Sequence, residues 1–392
     1  MDLNRWLDGV KLVAAVGSGG VGKTTTAATI GLWAAAHGRK VIVLTIDPAK
    51  RLANSLGLEQ MGGEPTPIDL SPLREAGVEV APKGELWAMM LDARGTFDSL
   101  IAGVAPTPEA RDRILGNHVY RAMADALAGS QDYMATEKLY DLVRTGRWDL
   151  VVLDTPPVKN ALDFLEAPGR VVRFLDERIL SWFLAPLRQK ESQSWASRLF
   201  SGATGGLYKL LGYVFGQEFL EDFAEFLNDF NGLYDGFRQR HAAVLALIRE
   251  PTTAFVIVAA PTESAVDVAT FFEEELRRRD LPLRGRLLNQ VLQAQPSSPE
   301  AVARARARAE AASADLPPGT SDRVLERLAA AQRDLAERVT GERALLGRLR
   351  AVARGGFWQE VPRFEQDVHD LAALWRVAEA IFARPADELR GP

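Results

Sequence analysis

Cysteine is absent from the chain. That excludes disulfides and thiolate zinc sites. Histidine is scarce: His37, His118, His241 and His369 are scattered and give no metal-ligand spacing. An excess of positive charge is also missing. The net charge of −5 argues against a general nucleic-acid binder. No apolar run approaches the ~20 residues a spanning helix needs. The first apolar strand begins at Lys11, leaving no room for a signal peptide, so a cytoplasmic location is the expectation. At 392 residues the chain can bury a sizeable core, as one large domain or two.

What is present begins with Gly17-Ser18-Gly19-Gly20-Val21-Gly22-Lys23-Thr24, a complete G-x-x-x-x-G-K-[ST] phosphate loop. An apolar strand, 11–16, precedes it, and an Ala-rich helical stretch, 24–36, follows. Strand, glycine loop, helix is the context that gives this motif its meaning. Glycines let the backbone wrap a phosphate closely with successive N–H groups pointing inward. The positive end of the following helix adds attraction. Lys23 would reach the β- and γ-phosphates, and the Thr24 hydroxyl would hold Mg²⁺.

Three further apolar strands end in acidic residues. Residues 40–46 lead into Asp47-Pro48-Ala49, 86–91 into Asp92, and 149–153 into Asp154-Thr155-Pro156-Pro157. Near-continuous apolar runs mark strands buried on both faces, hence a parallel sheet between helix layers. Open sheets of this kind bind ligands at the strands' C-terminal ends. Asp154, after the fourth strand, stands where a P-loop enzyme keeps its Mg²⁺-side carboxylate. Asp47 and Asp92, each taken alone, read as helix N-caps more often than as catalytic groups.

The segments 19–25, 45–49 and 154–157 together resemble the arsenical-pump ATPase family, which includes the ATPase that targets tail-anchored membrane proteins. Two later segments agree: 285–290, with Asn289-Gln290, and Val361-Pro362-Arg363-Phe364 followed by 371–374. The resemblance covers about residues 10–165 and 250–295 and the last thirty or so. It implies that residues 17–25, Thr25 included, bind ATP. It implies that Asp47 positions the attacking water and shares Mg²⁺ with Thr24, and that Asp154 senses Mg²⁺. Asn289 would hydrogen-bond adenine, with Pro362 packed on the ring. Pro157 has no N–H, so the γ-phosphate cannot be read by an amide there.

Three departures qualify the resemblance. Ser18 occupies the position of a signature lysine that reaches the partner's nucleotide across a dimer, so a cation that would offset transition-state charge is missing. Lys50 and Lys159 are possible substitutes, and a paralogous subunit is another source. Without cysteine, a zinc-clasped dimer and cysteine-ligated arsenite are both impossible; the expected cofactors are ATP and Mg²⁺ with no zinc. After the second switch, 158–163 reads Val-Lys-Asn-Ala-Leu-Asp, where targeting enzymes carry a Gly-His-Thr stretch.

The remainder is mostly helical. Residues 107–147 alternate charged and apolar positions at helical spacing. Residues 166–250 are rich in large apolar side chains. Phe219, Phe223, Phe226, Leu227 and Phe230 form one apolar helix face, which reads as core or as part of the composite groove the family assembles. A glycine-rich break lies at 201–206. Residues 296–350, Ala/Arg/Glu-rich and interrupted by Pro317-Pro318-Gly319, read as a solvated helical hairpin.

The fold expected is α/β: a doubly wound, mostly parallel sheet of about seven strands with helical insertions. Residues 1–106 form the first part of the P-loop core, 107–147 a helical insertion, and 148–165 a core strand with the second switch. Residues 166–250 form an apolar helical subdomain, 251–295 core with the adenine-reading strand, 296–350 a charged helical insertion, and 351–392 core with the adenine loop. The expected function is Mg-dependent ATP hydrolysis whose nucleotide state controls the helical subdomain. That subdomain would handle a hydrophobic client or membrane-associated partner, the protein acting as a homodimer or as a heterodimer with a paralogous ATPase, without nucleic acid. The alternatives are a regulatory nucleotide-binding subunit with little turnover and an anion-pump ATPase.

Overall fold

The computed structural model describes residues 5–46, 51–118, 131–155, 233–293, 299–312, 320–383 and 387–388, with 120, 121, 124, 222, 226 and 229. Its centre is a sheet of nine strands. In chain order these are β1 (Leu12–Val16), β2 (Lys40–Thr45), β3 (Thr66–Pro67), β4 (Glu85–Met90), β5 (Leu150–Asp154), β6 (Thr253–Ala259), β7 (Leu283–Val291), β8 (Phe357–Pro362) and β9 (Asp387–Glu388). They lie in the order β3-β4-β2-β5-β1-β6-β7-β8-β9. The seven longer strands run parallel, and the two-residue strands β3 and β9 pair antiparallel at the edges. The expected doubly wound, mostly parallel sheet is observed, with nine strands where about seven were expected; the two added ones are the short antiparallel edge strands.

The strands alternate between two cores. Val13, Val41, Val43, Val152 and Val256 face one side, against α1 (Lys23–Ala36) and, near the C-terminus, a helix at Leu371–Phe382. Leu12, Ile42, Leu44, Leu153 and Ile257 face the other. Burial on both faces is why these segments read as unbroken apolar runs rather than as alternating ones. The strand order reverses at β1, where the chain turns left to β2 and later returns on the right through β6. Ligands bind outside the carboxyl ends of strands at such a point.

Between β2 and β5 lie α2 (Arg51–Ser55), α3 (Ser71–Glu75), α4 (Ala93–Val104), α5 (Pro108–Gly116) and α6 (Gln131–Arg144). Asp92 is the N-cap of α4: its Oδ1 accepts the Gly95 amide at 2.9 Å. The capping reading of Asp92 is the one observed. The next described helices are α7 (Tyr234–Arg249), α8 (Glu263–Arg278), α9 (Pro299–Ala312), α10 (Thr320–Val352) and α11 (Leu371–Phe382). Two helices, α9 and α10, occupy the charged stretch, the residues between them lying outside the described ones, and most of α10 is exposed, as a helix of that composition requires.

Most of the apolar segment 166–250 lies outside the described residues, as does the glycine-rich break. Of its apolar face, Phe226 is buried with Phe97, Tyr133 and Phe237 in a third core beside α4, so that side chain packs as core. Arg240 on α7 ties this region to α6 through Glu137 at 2.6 Å. Burial raises the Glu137 carboxyl above its ordinary range, against the opposing pull of Arg240.

Candidate functional site

The loop between β1 and α1 is shaped by two close approaches. At Gly17 a side chain would run into the Val258 carbonyl of β6; at Gly22 it would run into the Asn289 amide of β7. Gly22 also takes φ = 93° as the residue before α1, which glycine alone adopts without strain. The first turn of α1 carries no acidic residue, so nothing there neutralises its positive end. Lys23 is buried, and its Nζ donates to the Ser18 carbonyl at 2.9 Å. The lysine is therefore folded back over the loop.

Beside it sits a cluster of hard oxygens. Thr24 Oγ1 donates to Asp154 Oδ2 at 2.8 Å, and Thr45 Oγ1 donates to the same oxygen at 3.0 Å. Asp154 is buried at the end of β5. Thr155, next in the chain, donates to the Ala15 carbonyl of β1 at 2.7 Å and fastens that strand end to its neighbour. A hydroxyl and a carboxylate at this spacing are the donor set that Mg²⁺ prefers, and the residues present fit that ion. Among the described residues no group of three or more His, Asp or Glu could hold a metal. Asp47, with Pro48, Ala49 and Lys50, lies outside the described residues, and so do Pro156, Pro157 and Lys159.

A cleft of about 930 Å³ opens next to the loop. Gly22 and Thr25 line it on the loop side. Asn289, Gln290 and Pro362 line it from the ends of β7 and β8, and residues 363–369 form its outer wall. The volume is within the range of small-molecule sites. Asn289 Nδ2 donates to the Val21 carbonyl at 2.9 Å. The amide nitrogen is thereby engaged, which leaves Oδ1 to accept a hydrogen bond from a ligand. The residues assigned from the sequence to phosphate, metal and base thus meet along one edge of the sheet, Asp47 excepted.

Sequence reasoning missed Thr45, Asn54 and Ser55. Thr45 is the last residue of β2; it opens the 45–49 motif, but its hydroxyl carried no role in the sequence reading. Asn54 and Ser55 line the cleft from α2, and no local pattern distinguishes them from other polar residues on a short helix.

Comparison with known proteins adds independent findings. The model of a family described as "Anion-transporting ATPase" matches residues 10–315. The chain is 27% identical over 286 residues to the ATPase GET3C of Arabidopsis thaliana, covering 70% of this chain and 66% of that protein. It is 28% identical to the ATPase ARSA1 of Chlamydomonas reinhardtii, covering 71% of this chain and 34% of that one. It is 24% identical to the ATPase GET3 of Podospora anserina, covering 72% and 73% respectively. The matched stretch thus spans about two thirds of the plant relative and about a third of the algal one.

Proposed function

The chain belongs to the anion-transporting ATPase family, and on that premise we propose that it binds ATP with Mg²⁺ at the C-terminal edge of the sheet and hydrolyses it to ADP and phosphate. The observation that carries the reading is the Thr24–Asp154–Thr45 oxygen cluster, set directly beside Lys23 and the glycine loop.

In this reading the N–H groups of residues 19–24 receive the phosphates, and Lys23 leaves the Ser18 carbonyl to bind the β- and γ-phosphate oxygens. Thr24, Asp154 and Asp47 would hold Mg²⁺, which supplies charge neutralisation to the leaving phosphate when bound. Asp47 would orient the attacking water. Asn289 Oδ1 accepts from the adenine amine, and Pro362 covers the ring. Catalysis of this kind is positioning and charge stabilisation. Nucleotide state would then alter the segments after Asp47 and after Asp154, and through them residues 166–250. The client of that segment would be a hydrophobic protein segment, in keeping with the apolar composition of 166–250, and the working form a dimer. No described helix is long and apolar enough to cross a membrane.

Ser18 favours a second reading. With serine in place of the signature lysine, the chain would be a nucleotide-binding subunit that turns over only beside a lysine-bearing paralogue. Steady-state ATP hydrolysis with Mg²⁺ by the pure protein separates the two. Turnover that Asp47→Asn abolishes supports the self-sufficient ATPase. ATP binding without turnover, with activity gained in Ser18→Lys, supports the subunit. Absence of ATP binding refutes both.

A further inference from the structure

β7 does not end as a regular strand. Leu288 pairs with Glu360 of β8, and the next pair is Val291 with Pro362. Three steps on β7 oppose two on β8, which is a β-bulge. The cores record the same slip. Leu287 faces the core of α1, Leu288 faces the opposite core, and Val291 faces that opposite core again. In an unbroken strand, residue 291 would share a face with 287. Gln290 absorbs the extra residue with φ = 61°, a left-handed conformation that strains a non-glycine residue.

The outcome is that two consecutive side-chain amides reach the same loop. Asn289 Nδ2 donates to the Val21 carbonyl at 2.9 Å, and Gln290 Nε2 reaches the Gly20 carbonyl at 3.5 Å. Adjacent residues of a regular strand point to opposite faces, so this requires the bulge. A trans peptide is planar, with its C=O and the following N–H pointing in opposite directions. A carbonyl held outward at Gly20 therefore turns the Val21 N–H inward. A carbonyl held outward at Val21 does the same for the Gly22 N–H. These are the donors that a phosphate nest presents.

Resting on the nucleotide-binding reading above, we propose that Gln290, placed by the bulge beside Asn289, is a positioning residue for the phosphate: it fixes the crest of the glycine loop so that its N–H groups face the ligand. The strain at Gln290 is retained because relaxing it would turn the amide away from Gly20. The role belongs to the phosphate end of the ligand although the residue sits beside the base reader.

The test compares wild type, Gln290→Gly and Gln290→Glu by calorimetric titration with ATP, GTP and inorganic tripolyphosphate in Mg²⁺, alongside thermal melting. Glycine keeps the backbone conformation and removes the amide, so the melting temperature should hold or rise. Affinity for all three ligands should fall together by about fivefold, the worth of one neutral hydrogen bond. The isosteric glutamate has no donor and should weaken binding at least as much. Unchanged affinity in Gln290→Gly, or a loss confined to ATP, overturns the proposal while leaving the nucleotide site in place. Failure of the wild type to bind any of the three overturns the nucleotide reading and this inference with it.

Discussion

In the proposed nucleotide site, the phosphate end and the base end of the cleft are built in opposite ways. The phosphate end comes from one contiguous stretch, Gly17–Thr25, plus a strand-end carboxylate. The base end is assembled from Asn289 and Pro362, more than 260 positions further along the chain, as the Asn289–Val21 separation of 268 shows. A contiguous site is held by its own backbone and by the helix it starts. An assembled site depends on whatever fixes the strands that bring it together.

For β7 and β8 that fixture is buried. Arg286 on β7 is fully enclosed, donates to Glu273 of α8 (Nε to Oε2, 2.9 Å), and also bonds the carbonyls of Arg354 and Gly355 just before β8. Removing one partner of such a pair strands the other charge in the core. Arg286→Met should therefore lower stability by about 3–5 kcal/mol, read as a shift in the urea midpoint. The double variant with Glu273→Leu should recover most of the loss. A small effect in the single variant would mean that the strand ends do not depend on the pair.

Lys23→Ala attacks the other end and should leave the urea midpoint nearly unchanged. Turnover should fall by about a hundredfold or more, the scale for losing one preorganised charge-stabilising donor. A phosphate-release assay checks it. A variant that keeps its turnover would remove the phosphate end from the chemistry.

Asn289→Ala should reduce the preference for ATP over GTP by roughly tenfold, since one hydrogen-bonded recognition contact is lost. Parallel titrations of the two nucleotides measure it, and a preserved preference would place base recognition elsewhere. The smallest effect belongs to the helix after the base loop. Asp370 caps α11, accepting the Ala373 amide at 2.7 Å. Asp370→Ala should cost about 1 kcal/mol by thermal melting and leave affinity for tripolyphosphate intact. A fall in that affinity would show the two ends to be coupled through α11.

The same contrast governs what was legible in the sequence. The sheet's parallel strands β1, β2 and β5 could be read because their interiors are apolar, as burial on both faces requires. The glycine loop could be read because its geometry is local. The helices α9 and α10 could be read from their Ala/Arg/Glu composition. The bulge at Asn289–Gln290 could not, because it exists only in the register between β7 and β8. The roles of Thr45 and Asn54 were missed for a similar reason: their neighbours in space, Asp154 for Thr45 and the cleft for Asn54, are set by the folded chain and not by adjacent residues. Asp92 shows the converse, since an acidic residue at a strand end became a cap.

The central claim is that the two ends are halves of one nucleotide site. Competition between ATP and tripolyphosphate for the wild-type protein in Mg²⁺ tests it most directly. The expected result is mutual displacement, with ATP binding several-fold tighter because the base end adds its contacts. Equal affinities, or simultaneous binding of both ligands, would contradict it.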